Sequence, residues 1–311
     1  MKARLPALVS LAAVVAVLCL LPFTLSDYNV SLVAQVGVFF VAVLGLNILT
    51  GYTGQISIGH GAFMAIGGYT TAILSRDHHT NLVLTMVVAF AICFVVGLIV
   101  GLPALRLSGV YLALATFALA VSVPSLPLQW SKFLGGRDGV QTARTVSNVW
   151  VYGAAWTASA VLFALAWLIL RGRVGRAFRA VRDSEIAAVA SGVELPLYKT
   201  LAFGISAAYG GVAGSLFVLA TNGFAAPDEF GVALSLQILV GAAVAGLGSL
   251  WGVLAGAAFV GLLPTVSSSV PVIGSRHGQD VVFGAAVILV MLLLPGGFAG
   301  LLARLRRPAR A

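Results

Sequence analysis

The sequence predicts an all-α polytopic membrane protein, a bundle of about eight to ten transmembrane helices with some broken or short glycine-rich segments. Of its 311 residues, 60% are apolar and only 9% are charged, whereas about a quarter of the residues in a soluble domain carry a charge. Apolar runs close to the roughly 20 residues that cross a bilayer core recur along the chain. We therefore predict a single transmembrane domain, residues 1–311, which includes one long charged loop at 171–199.

Ten segments are predicted to cross the membrane, although several of them are short. The first follows Lys2 and Arg4 and has no small-residue cleavage site after it. We therefore predict an uncleaved span there, and not a removable signal peptide. The ten segments cover residues 5–25, 30–50, 61–75, 82–102, 109–128, 150–170, 200–221, 232–247, 250–264 and 281–302.

The charged residues are divided unequally between the two sets of loops that this count creates. Thirteen of the 18 Lys and Arg residues lie before residue 5, at Arg106, in 171–199 or after residue 302. The alternate loops hold the other five, together with six of the nine acidic residues. Because positively charged loops stay on the cytoplasmic side of the membrane, both termini and the loop 171–199 are predicted to be cytoplasmic.

Composition and charge placement weigh against several classes of function. The formal net charge of +9 would suggest nucleic-acid binding in a soluble protein, but here its distribution reports topology. No acidic or basic residue lies deep in a predicted span, which argues against an ion-coupled secondary carrier. An intramembrane enzyme would need a catalytic cluster, and the nearest candidate, Asp77, His78 and His79, is better interpreted as a solvated turn.

Cofactor sites are not predicted in this chain. Cys19 and Cys93 both lie in apolar runs, so neither a disulfide framework nor a metal site is expected. The chain also lacks the G-x-x-x-x-G-K-[ST] loop that binds nucleotide phosphates. If the protein uses ATP, a partner chain must bind it.

The stretch GYTGQISIGHGAFMAIGGY, residues 51–69, contains six glycines, and each interior glycine costs a helix about 1 kcal/mol relative to alanine. It predicts a broken or closely packed helix, which is tolerated where backbone is buried in protein or lines a wet cavity. One interpretation is a translocation pathway wall, and the alternative is helix packing through small residues. For His60 alone, a packing or interfacial role is favoured. The candidate pathway residues are Gly54, Gln55, Ser57, Gly59, His60 and Phe63.

A second glycine-rich stretch begins at Gly241. Gly248, Gly252 and Gly256 follow at four-residue spacing with few polar neighbours. That spacing predicts a seam of small residues along one helix face, so packing against another helix or subunit is favoured over a chemical role. The residues 246–249 are predicted to form a hinge between two short spans.

The charged loop 171–199 begins with arginines at every third position. Arg176, Arg179 and Arg182 are separated by apolar residues. This spacing favours a helix along the membrane surface, with the arginines reaching lipid phosphates and Phe178 directed inward. A plain topology signal is the alternative interpretation.

A short helix is predicted next in the same loop. Asp183 is the predicted N-cap, Glu185 lies in the first turn, and Gly192 is the predicted C-terminal cap. The residues between them are mostly small and apolar. Such a slender helix fits a groove on another protein.

Three of the loops predicted on the outer side lie at 129–149, 224–230 and 267–280. The first contains GGRDGV and the second APDEF, both rich in turn-forming residues. Together they offer a platform for an external partner. The simpler interpretation, that they only connect helices, is favoured because most short connections do no more.

Four blocks carry a family resemblance: GYTGQISIGHGAFMAIGGY, GRAFRAVRDSEIAA, LYKTLAFGISAAYGGVAGSL and GLGSLWGVLAGA. They resemble permeases of ATP-driven ABC importers of the branched-chain amino-acid (LivM/LivH) family. EIAAVASG with LP shortly after looks like the ATPase-coupling loop of such permeases. The GGRDGV loop, with Arg137 where a small residue is expected, and the long basic segment before Asp183 favour the LivM type.

The resemblance implies a multi-pass subunit of a bacterial or archaeal plasma membrane. Its implied partners are a second permease, two cytoplasmic ABC ATPase subunits, an extracytoplasmic solute-binding protein and membrane lipid, but no nucleic acid. ATP would bind to the partner ATPases, so the chain itself would not be an enzyme. The residues implied to seat in the ATPase are Asp183, Glu185, Ala187, Ala188 and Gly192.

The solute implied by the resemblance is a branched-chain or other hydrophobic amino acid. Similar permeases carry urea or short amides, and no residue of the sequence decides between them. An ion-coupled secondary carrier and an intramembrane enzyme remain the alternatives from other classes.

Overall fold

The computed structural model describes residues 22, 24–107, 109–143, 146–268, 276–293 and 296–300. Its α-helices are α1 (Asp27–Leu46), α2 (His60–His78), α3 (Leu82–Ala104), α4 (Val110–Ser122), α5 (Leu126–Gln129), α6 (Ser131–Leu134), α7 (Asn148–Arg171), α8 (Arg173–Asp183), α9 (Glu185–Ala190), α10 (Leu195–Ala220), α11 (Val232–Ala245), α12 (Val253–Ser268) and α13 (Arg276–Leu293). Other elements are a π-helical turn (Asn47–Gly51), 3₁₀ turns (Val123–Ser125, Gly136–Asp138, Pro227–Phe230) and two strands, β1 (Val140–Gln141) and β2 (Phe224–Ala225).

Six stretches of the described chain are long and apolar enough to cross a membrane: Asp27–Gly51, Leu82–Ala104, Val110–Gln129, Asn148–Arg171, Leu195–Ala220 and Pro227–Ala245. A shorter apolar helix covers Val253–Thr265. The prediction of a helical, multi-pass membrane protein is therefore confirmed. The predicted number of about eight to ten spans stays a prediction, because the segment 5–25 lies almost wholly outside the described residues.

Helix α10 lies at the centre of the bundle. It packs against α1, α2, α3 and α7 and is buried along almost its whole length. The peripheral helices α3, α4 and α7 keep large apolar side chains exposed, among them Val87, Leu114 and Val161. An apolar exterior is what helices that face lipid require, since lipid cannot satisfy polar groups.

Glycines allow α2 and α10 to approach until their backbones touch. A Cβ atom on Gly67 would overlap the carbonyl group of Gly211, and one on Gly214 would overlap the carbonyl group of Met64. The Ser215 hydroxyl donates a hydrogen bond to the Gly67 carbonyl oxygen at 3.2 Å. Small residues at this crossing therefore fix how closely the two helices pack.

The loops that the sequence predicts to share a side of the membrane do lie together. On one side, Val140 of β1 pairs with Ala225 of β2, which joins two of the predicted outer loops. On the other side, the Arg182 side chain reaches the turn at Gly51. Both contacts agree with the predicted alternation of spans, which stays a prediction.

The segment 224–231 turns back into the bundle before α11 begins. Phe230 is fully buried, and its ring packs against those of Tyr69 and Phe217 at centroid distances of 6.2 and 5.6 Å. The Gly61 N–H donates to the Ser235 hydroxyl at 2.9 Å. Helix α11 therefore starts against the beginning of α2, and its 14 residues extend only about 21 Å.

Two predictions for the last third of the chain are wrong. Gly248 and Gly252 lie in the turn before α12, and only Gly256 is helical; the three glycines therefore do not form a seam along one helix. Close packing does occur, because Cβ atoms on Gly252 and Gly256 would overlap the carbonyl oxygens of Ala245 and Gly241 on α11. The predicted outer loop 267–280 also ends early, since α13 begins at Arg276; Pro271 and Gly274 lie outside the described residues.

The α2–α10 contact predicts the effect of a single methyl group. Gly67→Ala should lower the free energy of unfolding by about 1–3 kcal/mol, because the added atom has no space. Gly153→Ala is the matched control, since no atom lies within 4 Å of its added Cβ and alanine favours the helix by up to about 1 kcal/mol. Thermal unfolding in detergent measures both. Equal melting temperatures for the two variants would contradict this explanation.

Candidate functional site

The first glycine-rich stretch is a broken helix, as the sequence predicts. The π-helical turn Asn47–Gly51 extends α1, helical structure ends at Thr53, and the backbone is irregular from Gly54 to Gly59 before α2 begins. Gly54 has φ of +74°, a left-handed conformation that glycine adopts without strain. The break therefore follows from the glycines that the sequence places there.

Polar side chains satisfy the backbone along this break. The Thr116 hydroxyl accepts from the Ile58 N–H at 2.9 Å, and the Ser57 hydroxyl accepts from the Gly59 N–H at 3.3 Å. The Thr50 hydroxyl donates to the Gln55 carbonyl oxygen at 3.1 Å. Buried backbone groups need such partners in a membrane protein because the surroundings supply none.

Most of the predicted pathway residues are packed against protein. Gln55, Ser57, His60 and Phe63 are all buried, and a Cβ atom on Gly59 would meet Thr116. His60 lies between α1 and α10, where added Cβ atoms on Gly45 and Gly210 would approach its ring to 3.3 Å. Of the predicted set, Gly54 alone is exposed. A role for these residues in contacting solute stays a prediction.

The chain closes on the predicted inner side through a cluster that we call the inner clamp: Asn47, Gly51, Arg182, Gly248 and Ser249. The Asn47 amide donates to the Ser249 carbonyl oxygen at 2.7 Å and accepts from the Gly248 N–H at 2.9 Å. The Arg182 guanidinium donates to the Gly51 carbonyl oxygen at 2.7 Å. A Cβ atom on Gly51 would overlap the Asn47 side chain and the Gly248 nitrogen. The clamp thus joins α1, the α11–α12 turn and the charged loop.

The basic helix of the charged loop is present as α8, but its apolar side faces protein. Phe178 is fully buried, and its ring meets that of Tyr198 edge to face at a centroid distance of 6.4 Å. Arg179 donates to the Leu170 carbonyl oxygen at 3.2 Å, and Arg182 belongs to the inner clamp. Two of the three periodic arginines therefore bind backbone carbonyls at helix ends, which the spacing alone does not reveal.

The short helix α9 is capped at both ends, with one correction to its start. Asp183 is the last residue of α8, and the N-cap is Ser184, whose hydroxyl accepts from the Ala187 N–H at 3.3 Å. Gly192 ends the helix as predicted, with φ of +82° and the Val193 N–H bonded to the Ala188 carbonyl oxygen at 3.0 Å. This is the hydrogen-bond pattern of a glycine C-cap.

Helix α9 exposes a larger apolar face than the predicted residues describe. Ile186 is 86% exposed and Val189 is 54% exposed, while Ala188 is 1% exposed and packs inward. Ala187 lies on the exposed face, as do Glu185 and Gly192. A cleft of about 630 Å³ beside this face is lined by Leu105, Glu185, Val189, Gly192, Val193, Glu194, Leu195, Pro196 and Lys199.

An ion pair ties α9 to the central helix α10. The Lys199 ammonium lies 2.6 Å from the Glu185 carboxylate, and the two side chains are 8% and 49% exposed. The Gln55 amide of the broken stretch lies 3.5 Å from the Lys199 carbonyl oxygen. Lys199 therefore connects α9 with the broken stretch. The sequence predicts Glu185 as a residue that contacts a partner protein. In the structure it also pairs with Lys199 of the same chain.

The acidic and histidine residues at 77–79 form the end of α2. The Arg76 guanidinium binds the Asp77 carboxylate through hydrogen bonds of 2.6 and 3.1 Å and holds the pKa of that carboxyl below its usual value. His79 has φ of +49° and ends the helix. Across the part of the chain that the structure describes, no group of three or more His, Cys, Asp or Glu residues is placed to hold a metal ion.

Three of the residues that organise this region are not conspicuous in the sequence. Asn47 is an amide within the apolar run before Gly51, and an amide inside a predicted span is a signal of a buried polar contact. Ser184 and Lys199 carry no comparable signal. The cap depends on where α8 ends, and the ion pair depends on how α9 folds against α10.

The sequence of this chain matches a known protein family. Residues 28–292 match the family described as "Branched-chain amino acid transport system / permease component". The chain is 29% identical over 307 residues to the high-affinity branched-chain amino acid transport system permease protein LivM of Escherichia coli strain K12, covering 89% of this chain and 71% of that protein. No solved structure gives a significant match.

Other relatives have related names. The LivH permease protein of the same high-affinity system in Escherichia coli strain K12 is 24% identical over 286 residues, covering 84% of this chain and 91% of that protein. The autoinducer 2 import system permease protein LsrC of Klebsiella pneumoniae is 29% identical over 175 residues, 54% of this chain and 49% of that protein. Of these three matches, the one to LivM covers the largest share of this chain, which agrees with the type that the sequence favours.

The structure predicts that Ser184, and not Asp183, stabilises the N-terminus of α9. Ser184→Ala should destabilise α9 by about 1 kcal/mol, because the Ala187 N–H loses its acceptor, and should speed exchange of that amide about fivefold. Asp183→Ala is the matched control and should leave the exchange rate of that amide unchanged. Hydrogen exchange followed by mass spectrometry distinguishes them. Faster exchange in Asp183→Ala alone would restore Asp183 as the cap.

The ion pair predicts an asymmetry between its two partners. Glu185→Gln leaves the buried Lys199 ammonium without a counter-charge and should lower the free energy of unfolding by about 1–3 kcal/mol. Lys199→Met leaves a carboxylate that is half in water, so it should cost less. Thermal unfolding of both variants provides the measurement. A larger loss for Lys199→Met would show that Glu185 depends on Lys199 more than the reverse.

Proposed function

Because the chain belongs to the branched-chain amino acid transport system permease family, we propose that it is the transmembrane permease subunit of an ATP-driven importer of branched-chain or other hydrophobic amino acids. Its single transmembrane domain extends over residues 1–311 and includes the ATPase-coupling loop 171–199. The chain is not an enzyme. Partner ATPases bind and hydrolyse ATP, and this chain carries the solute across the membrane.

The observation that carries this proposal is the exposed, doubly capped helix α9. A short amphipathic helix that lays apolar side chains into a groove is a common form of protein recognition. Ile186 and Val189 are the large apolar side chains that α9 exposes, and we assign them to the ATPase contact together with Glu185, Ala187 and Gly192. Ala188 supports the helix from below, and Asp183 joins it to α8.

The contacts of the charged loop can transmit a movement of the ATPases to the membrane-spanning helices. Two contacts matter here: the pair between Glu185 and Lys199 ties α9 to α10, and the bond from Arg182 to Gly51 ties α8 to the inner clamp. When the ATPases close on ATP, they move α8 and α9 as a unit. The shift withdraws Arg182 from Gly51, and the inner clamp separates while the outer mouth closes.

The remaining partners follow from the same proposal. A second permease subunit completes the pathway, and an extracytoplasmic solute-binding protein delivers the amino acid to the outer side, where β1 and β2 join two loops. The complex lies in the plasma membrane of a bacterium or archaeon, with both termini of this chain in the cytoplasm. The broken stretch from Gly54 to Phe63 borders the pathway on the inner half.

The ATPase contact is tested by placing a charge on its apolar centre. In the reconstituted complex, Ile186→Arg should reduce solute-stimulated ATP hydrolysis roughly tenfold or more, as loss of a central contact does at other interfaces. Gln141→Arg is the matched control, because Gln141 is also exposed but lies on the opposite side of the bundle. Stimulated hydrolysis that is equal in both variants would remove α9 from the ATPase interface.

A further inference from the structure

A cleft with both polar and apolar walls opens between α1, α11 and α12. Its volume is about 490 Å³, within the range of roughly 300–1,000 Å³ that is usual for small-molecule sites. One wall carries the aromatic rings of Phe39 and Phe217, and the polar groups come from Gln35, Gln237 and Glu229. None of these residues belongs to the inner clamp or to the charged loop.

The Glu229 carboxylate has one oxygen atom that is not hydrogen-bonded within the described part of the chain. Its Oε2 atom is buried and has no hydrogen-bond partner among the described residues. Among the residues that the structure describes, no Lys or Arg lines the cleft. A buried carboxyl oxygen without a hydrogen-bond partner is costly, so this arrangement favours a ligand that brings a positive, hydrogen-bonding group to Oε2.

The two glutamines supply complementary groups on the neighbouring helices. The Gln237 amide nitrogen donates to the Val260 carbonyl oxygen of α12 at 3.3 Å, which fixes the orientation of that side chain. Gln35 faces the same cleft from α1 and is half-buried. An amide has donors for a carboxylate as well as an acceptor for an ammonium. The cleft therefore holds groups for both ends of a zwitterion.

Lipid is a poor occupant for this cleft, because amides and a carboxylate facing hydrocarbon would be unsatisfied. The apolar wall is equally unsuited to an ion alone. We propose that the cleft binds a zwitterionic amino acid with an apolar side chain. Its ammonium lies at Glu229, its carboxylate at the Gln35 amide, and its side chain against Phe39 and Phe217.

The position of the cleft explains how binding of a solute there can affect the inner clamp. Helix α11 begins at the cleft, where Ala233, Leu234 and Gln237 line it, and ends at Ala245, directly before the turn that contains Gly248 of the inner clamp. A single short helix therefore joins the solute site to the clamp. This inference rests on the proposed function and specifies which residues of the permease contact its solute.

The first test measures leucine transported per ATP hydrolysed, in proteoliposomes that contain the full complex and saturating solute-binding protein. Glu229→Gln and Gln35→Leu should each lower this ratio roughly tenfold, which is the effect of losing a hydrogen bond to a charged group. Asp228→Asn is the matched control, because Asp228 is exposed on the same turn and does not line the cleft. It should keep the ratio of the unmodified protein.

The second test reports occupancy directly and does not depend on transport. Ala233→Cys, in a background with Cys19 and Cys93 replaced by alanine, places a thiol on the exposed wall of the cleft. Leucine should slow maleimide labelling of this thiol several-fold, whereas 4-methylpentanoate, which lacks the ammonium group, should not. Adding Glu229→Gln should abolish the protection by leucine, and adding Asp228→Asn should preserve it.

The outcomes separate the two levels of the proposal. If the unmodified complex shows no ATP-driven uptake of leucine or of any other hydrophobic amino acid, the proposed function fails. If uptake occurs but Glu229→Gln behaves as Asp228→Asn does in both tests, the cleft is not the solute site. Dissociation of the complex by Glu229→Gln, with leucine protection unchanged, would also overturn the inference and would identify the cleft as a subunit interface.

Discussion

The need to satisfy backbone hydrogen bonds where no water is available controls this structure. The chain interrupts its helices at 54–59, at 224–231 and at 246–252, and each interruption frees N–H and C=O groups that lipid cannot bind. Side chains from distant helices bind these groups: Thr116 and Ser235 near the start of α2, and Asn47 and Arg182 at the inner clamp. The breaks at 54–59 and 246–252 are therefore also connections between helices.

The helix packing and the inner clamp differ in how easily they can move. The helices cross closely because glycines leave no side chains between them, so the bundle resists small adjustments. The inner clamp, by contrast, depends on a few hydrogen bonds, and one of them comes from Arg182 of the charged loop. A contact of this kind breaks when its donor moves a short distance. A force on α9 would thus open the clamp before it deformed the packed helices.

Local sequence patterns predict many of these features. The features that they miss depend on contacts between residues far apart in the chain. Apolar runs, the glycine-rich break and Gly192 as a C-cap follow from composition and short-range rules. The N-cap of α9 was misassigned by one residue because α8 continues through Asp183. The partner of Asn47 is 202 residues away, a distance at which a sequence pattern carries no information. The prediction that glycines 248, 252 and 256 form a seam on one helix face is wrong for a related reason. Regular spacing does not distinguish a helix from the turn before it.

A direct measurement of the clamp is the distance between spin labels at Ile56 and Leu247, two exposed positions on the inner side. Pulsed electron paramagnetic resonance on the full complex compares the nucleotide-free state with the state trapped on ATP. We expect two different distances, and we expect Arg182→Gln to remove most of the difference between them. A single distance in both states, in a complex that still couples ATP hydrolysis to uptake, would contradict a clamp that opens through the charged loop.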